Sequence, residues 1–226
     1  MAQTLKEVIM ETQGYLNAAG FPCGTPDGIW GNKSQGALDL LKASTIDASR
    51  PFGVNKILWG TKFTQAELTK LAEIIKRLNL PPVMIQDFMS CMAWETGEEF
   101  KANTRSPVSS ATGLIQFMKA TAIGLGTTVE ALAKMTQVEQ LEYVYLHFKP
   151  YAKKISNLGD LYMAIIWPVA VGKPDSYVMW KTGDAQFVPN KGLDVNNDGI
   201  ILRQECLHKV NNKMAKGAQS KYVKAA

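Results

Sequence analysis

A chain of 226 residues with 46% hydrophobic and 20% charged residues can bury an ordinary core, and its size suits one main domain plus a small one rather than a disordered segment. Its net charge of +5 favours anionic partners, but Lys and Arg are spread along the chain without a recognisable nucleic-acid module, which argues against nucleic acid. Three cysteines, Cys23, Cys91 and Cys206, share no close spacing, and their odd count argues against a disulfide framework and fits synthesis in a reducing cytosol.

At the N-terminus Leu5, Val8, Ile9, Thr12 and Leu16 recur at helical spacing, residues 20–31 are rich in Gly, Pro and Asp, and Ala37, Leu38 and Leu41 form a second stripe. This predicts a small helical hairpin. Pro26-Asp27-Gly28 fixes a tight turn, since Pro presets φ, Asp caps locally and Gly accepts positive φ. Trp30 then lies on a loop, either offering a flat face to a sugar or a stem peptide or plugging the hairpin core. Residues 44–60 have weak periodicity and read as a linker.

A second, mostly helical domain is expected over 61–226. Thr64 and Glu67 form a capping box ahead of a stripe of Leu68, Leu71, Ile74, Ile75 and Leu78, stopped by Pro81-Pro82. The next helix carries Ile85, Phe88, Met89 and Met92, and Glu95 falls seven residues after Phe88, on the apolar side. Partial desolvation there would raise a carboxyl pKa toward that of a general acid, whereas a fraying helix end would leave Glu95 in water. Gly97 is expected to break the helix, and Glu98-Glu99 read as a solvated turn. Further helices are predicted at 136–148, opened by Thr136 and Glu139, and at 157–167, stopped by Pro168.

Residues 194–205 match the twelve-position calcium loop: Asp194, Asn196, Asp198 and Glu205 supply oxygens, Ile200 a backbone carbonyl, and Gly199 stands at the sixth place. Pro189 and Gly192 spoil an entering helix, so any Ca2+ would be structural, and an Asx-rich turn without metal fits the pattern equally. The tail mixes Leu207, Val210 and Met214 with Lys209, Lys213, Lys216, Lys221 and Lys224, as in a basic amphipathic helix touching anionic lipid or lipopolysaccharide weakly, or in a docked terminal helix with solvated lysines. His147 and His208 show no ligand spacing for zinc, and Cys91 sits in an apolar run where thiols are inert, so metal hydrolase and cysteine peptidase chemistry are disfavoured.

The segment with Gln13, Leu16, Asn17, Gly20, Gly24-Thr25-Pro26-Asp27-Gly28-Ile29-Trp30-Gly31, Ser34, Ala37 and Leu38 resembles the peptidoglycan-binding domain type 1 family, which implies wall contact through Asp27 and Trp30 over residues 1–43. The second domain resembles lysozyme-like lytic transglycosylases of the phage endolysin branch. Glu95-Thr96 with Phe100 stands for their first motif at a longer spacing, and Ser110-Ala111-Thr112-Gly113-Leu114-Ile115-Gln116 for their second. Leu161-Tyr162-Met163-Ala164 replaces the third, without its Asn.

This resemblance implies a mainly α protein, a small helical wall-binding domain plus a lysozyme-like α domain, that cleaves peptidoglycan between N-acetylmuramic acid and N-acetylglucosamine. Glu95 would be the acid and base, and Ser110, Gln116, Phe117, Tyr145 and Tyr162 would line the substrate. No cofactor is required for the chemistry. Muramidase hydrolysis, or a noncatalytic wall-binding or virion protein on the same fold, remain the alternatives. A monomer is expected, held in the host cytoplasm without its own export signal until it reaches the wall.

Overall fold

The computed structural model describes residues 3–18, 23–38 and 56–225. The protein is mainly helical, with two antiparallel two-stranded sheets among the described residues. In chain order the elements are α1 (Leu5–Ala18), α2 (residues 32–38), β1 (Lys56–Ile57), α3 (Gln65–Arg77), α4 (Ile85–Glu95), α5 (Lys119–Gly124), α6 (Val129–Leu132), α7 (Gln137–Phe148), α8 (Leu158–Ile166), β2 (Val178–Lys181), α9 (Phe187–Asn190), β3 (Ile200–Leu202), α10 (Arg203–Gly217) and β4 (Lys224–Ala225). No helix among the described residues is long and apolar enough to cross a membrane.

The chain forms two compact units: Met1–Ser49 with Lys173–Asn211, and Arg50–Gly172 with Asn212–Ala226. The sequence expectation kept residues 173–211 with the second domain. In the structure Gly36 of α2 explains their place in the first, because a Cβ there would stand 2.7 Å from the Val195 carbonyl oxygen. The absent side chain lets loop and helix close on each other. Leu41 and most of the expected linker, residues 44–55, lie outside the described residues.

In the first unit Leu16, Cys23 and Ala37 make a small core with Leu38 beside it. Gln13 is buried on α1 and fastens the predicted turn: its amide nitrogen donates to Asp27 Oδ1 (3.0 Å), the Ile29 carbonyl (3.0 Å) and Ser34 Oγ (2.9 Å), and its oxygen accepts from the N–H groups of Asp27 and Gly28. One buried amide so ordered outweighs its desolvation, since a buried amide with all its partners avoids the 1–3 kcal/mol, roughly, of an unmade bond. Gly28 has φ 75°, the positive value expected of it. In the same unit β2 pairs with β3 antiparallel, a pairing the sequence did not announce.

In the second unit both expected capping boxes are complete, Thr64 with Glu67 at α3 and Thr136 with Glu139 at α7. Helix α3 packs on α7 and α4 on α8. Every residue of α4 from Ile85 to Ala93 is buried, so this helix is the centre of the unit. The C-terminal segment ties in by its backbone: β4 pairs with β1, the Trp59 indole donates to the Lys213 carbonyl (2.9 Å), and the Trp59 and Tyr222 rings lie 4.3 Å apart.

Candidate active site at the end of the fourth helix

Helix α4 ends where Thr96 takes over its last turn. The Thr96 hydroxyl donates to the Met92 carbonyl (2.7 Å) and accepts from Phe100 N–H (2.9 Å). Gly97, Glu98 and Phe100 then all have positive φ, 59°, 74° and 55°. Left-handed backbone at two non-glycine residues costs on the order of 1 kcal/mol each and persists only where surroundings enforce it. The enforcers are visible: Phe100 is buried between Trp59 and Phe63, and the Glu98 carboxylate pairs with Lys213 and with Lys216, the latter at 2.6 Å. Glu98 is therefore an anchor for the turn, and Glu99 pairs loosely with Lys101 at 3.6 Å.

Glu95 stands at the last position of α4, half-buried, with no hydrogen-bond donor to its carboxyl among the described residues. Burial pushes its pKa up to about 8. That fits the desolvated alternative, not the frayed end in water. Beside it the Trp94 indole donates to the hydroxyl of Tyr162 on α8 (2.8 Å), and Tyr162 is buried. One turn earlier Cys91 is fully buried and its thiol pKa is raised well above normal, first by burial and then by the Asp87 and Glu95 carboxyls, so it is inert packing as expected.

The Ser-Ala-Thr-Gly-Leu-Ile-Gln segment folds as a tight loop between two bridges, Arg105 to Thr112 and Thr112 to Phe117. Gly113 has φ 86°, and a Cβ on it would meet the Gln140 side chain at 2.3 Å. Gln140 reaches in from α7: its oxygen accepts from Leu114 N–H (2.6 Å), and its nitrogen donates to the carbonyls of Ala102 and Leu132 (2.9 Å each). This buried clamp was missed in the sequence. The available signal was its spacing, since Gln140, Val144 and Phe148 follow one another at intervals of four on the buried side of α7.

The expected substrate residues do not all gather at one place. Gln116 has φ 52° and spends its amide nitrogen on the Gly113 (2.9 Å) and Thr104 (3.2 Å) carbonyls, leaving its oxygen as the group able to meet a ligand. Ser110 accepts from Lys119 N–H at the start of α5 (3.1 Å) and so caps that helix. Phe117 is buried with its ring edge-on to His147 at 6.1 Å, a core role. His147 donates its Nε2–H to the Ala164 carbonyl (3.0 Å), and burial lowers its pKa. Tyr145 lies under the Arg77 guanidinium (3.8 Å to the ring centre) in a cleft that neither Glu95 nor Tyr162 lines.

In the first unit Trp30 is exposed, donating its indole N–H to Gln35 (3.0 Å), so it does not plug the hairpin. Asp27 is exposed too, and hydrogen bonds, first from Gln13 and then from Ile29 N–H, lower its pKa. In the 194–205 loop Asp194 accepts from the N–H groups of Asp198 and Gly199, Asp198 from Ile200, and Glu205 from Val195, Asn196 and Leu202. Glu205 is fully buried and burial raises its pKa to about 7. The short helices Phe187–Asn190 and Lys191–Leu193 do precede the loop, although Pro189 argued against an entering helix. Among the described residues no three His, Cys, Asp or Glu side chains gather closely enough to hold a metal ion. The oxygen set suits a hard cation, yet its carboxylates are turned to their own backbone, as in a self-capped Asx turn.

The apolar stripe of the tail is buried: Leu207, Val210 and Met214 lie inside, and Lys213 and Lys216 face Glu98. A lipid-facing amphipathic helix would need that stripe free. No protein-family model matches the chain, and no curated protein is detectably similar to it.

Proposed function

We propose that the second unit is a lysozyme-like domain that cleaves the β-1,4 bond between N-acetylmuramic acid and N-acetylglucosamine in peptidoglycan, with Glu95 as the acid and base. The observation that carries the reading is a carboxyl at the end of α4, half-buried and without a hydrogen-bond donor, whose pKa of about 8 keeps it protonated at neutral pH. An acid in that state can give its proton to the oxygen leaving C1 of the muramyl sugar. The resulting carboxylate then takes the proton of the same sugar's C6 hydroxyl while O6 closes on C1. The products are a 1,6-anhydromuramyl end and a free 4-hydroxyl, with no water consumed.

Paired-carboxylate hydrolysis is supported less well, because Glu98 is held by two lysines and Glu99 lies on the exposed turn. A noncatalytic wall-binding or virion protein is the second reading, and the observation favouring it is that Ser110, Phe117 and Tyr145 serve capping, core and a separate cleft. The first unit, in this proposal, holds the wall through exposed Trp30 and Asp27 and raises the local concentration of the cleaving unit on an insoluble polymer. Structural Ca2+ at Asp194, Asn196, Asp198, Glu205 and the Ile200 carbonyl belongs to the same proposal, supported by the all-oxygen donor set. Such a modular endolysin reaches its substrate on release from the host cytoplasm.

Digestion of purified peptidoglycan by the protein and by Glu95→Gln, with the released sugars identified by mass spectrometry, tests the reading. Anhydromuramyl ends from the unaltered protein alone are expected. Reducing muramyl ends would make it a muramidase, and no release with retained wall binding would favour the noncatalytic reading.

A further inference from the structure

Away from Glu95 the second unit has a cleft of about 520 Å³ at the C-terminal ends of α3 and α7. Arg77, Asn79, Tyr145, Lys149, Lys153 and Ile155 are among its walls, and no carboxylate lines it. The volume falls within the range of small-molecule sites, roughly 300–1,000 Å³.

Charge decides what it fits. Arg77 lies over the Tyr145 ring at 3.8 Å but is matched by Glu142 at 2.7 Å and Glu73 at 3.3 Å. Lys149 stands 5.9 Å from the same ring centre, and neither it nor Lys153 meets a carboxylate among the described residues. The ends of α3 and α7 contribute about half a negative charge each, so two lysine charges against about one leave the cleft cationic. Asn79, held at φ 56° just after α3, offers an amide with no side-chain partner among the described residues. Lysine ammonium groups act as point charges suited to phosphate, while amide and phenol suit hydroxyls.

We propose that this cleft binds a phosphate ester on a small polyol, a body of glycerol or sugar size, with Lys149 and Lys153 on the phosphate and Asn79 and Tyr145 on the hydroxyls. The site is separate from Glu95, so the proposal stands or falls independently of glycan cleavage. Such a phosphate could come from a soluble or polymeric polyol phosphate or from a lipid headgroup.

The test is a titration of the whole protein with glycerol 3-phosphate, followed by amide shifts of Arg77, Asn79, Tyr145 and Lys149, in parallel with sedimentation on phosphatidylglycerol vesicles. Lys149→Glu with Lys153→Glu is the comparison, with melting temperature as the check on folding. Saturable shifts confined to these residues, weakened at least about tenfold in the double variant at unchanged melting temperature, are expected. Vesicle binding that is lost in the same variant would identify the lipid headgroup as the source. Shifts that do not saturate or that persist in the variant would overturn the proposal in favour of diffuse surface charge, and vesicle binding indifferent to the variant, beside shifts that it abolishes, would assign the phosphate to a soluble or polymeric source. If the double variant melts early, Asn79→Ala replaces it, and binding unchanged in that variant would overturn the proposal as well.

Discussion

Glu95 is half-buried and Glu205 fully buried, and both have raised pKa values, about 8 and about 7, with burial as the leading cause. Their surroundings differ in one respect. Glu205 accepts three backbone N–H bonds from its own loop, at 3.1, 3.4 and 2.8 Å, while Glu95 has no donor among the described residues. A carboxyl whose lone pairs are taken by the backbone holds a loop together; one that is desolvated and unmatched keeps its proton and can give it away. Burial alone thus does not make an acid. The pattern of donors around it decides.

The comparison breaks first at Glu95. Replacing it with Gln should lower the rate of glycan cleavage by about 10³-fold or more while leaving the far-ultraviolet circular dichroism unchanged. The same variant has a stability signature. A carboxyl with a folded pKa above its unfolded value costs nothing below the unfolded pKa near 4.5, and its cost grows as pH rises toward 8. Glu95→Gln should therefore be about as stable as the parent at pH 4 and more stable at pH 9, by about 1–3 kcal/mol after allowance for its partial exposure, in urea melts at the two values.

A loss of stability, opposite in sign, is expected at the loop facing Gln140. Gly113→Ala sets a Cβ 2.3 Å from a buried amide at φ 86°, and should cost about 3 kcal/mol of the second unit's stability, read as a lower urea midpoint. Glu205→Ala should cost about 2–3 kcal/mol in the first unit by orphaning three N–H groups, without touching the pH profile of cleavage. If it altered that profile, the contrast between the two glutamates would be lost. Calcium sharpens the contrast: with a millimolar loop, 10 mM Ca2+ should stabilise the first unit by about 1 kcal/mol and fail to do so in Asp194→Asn. No shift would leave the loop as a self-capped turn. The smallest effect is at Glu98, where burial acts to raise the pKa but Lys213 and Lys216 outweigh it and hold the carboxyl below its usual value. Its contribution is present above the unfolded pKa and fades as pH falls through the folded one, so Glu98→Gln should cost under about 1 kcal/mol at pH 7 and almost nothing in strong acid.

What could be read in the sequence was local. The boxes at Thr64 and Thr136, the stop at Gly97, the turn at Gly28 and the placing of Glu95 on the apolar side of its helix all follow from residues within one or two turns of each other. Features set by distant partners could not be read. The approach of Gly36 to Val195, which draws residues 173–211 into the first unit, spans most of the chain, and no periodicity records it. Strands β2 and β3 lack the alternation that would mark them, since their pairing carries a bulge between Val178 and Trp180. Tyr145 shows the limit on α7: the resemblance set it against the substrate, but packing under Arg77 puts it in a separate cleft. For Ser110 and Phe117 the motif indicated the loop correctly and not the direction of each side chain.

The account rests on the protonation state of one side chain, and the direct measurement is a carbon-13 NMR titration of the Glu95 carboxyl in the whole protein, assigned through Glu95→Gln. A midpoint near 8 is predicted, with the carboxyl protonated at neutral pH. A midpoint near the ordinary 4.5 would contradict it, because Glu95 would then be ionised at neutral pH and unable to protonate a leaving oxygen.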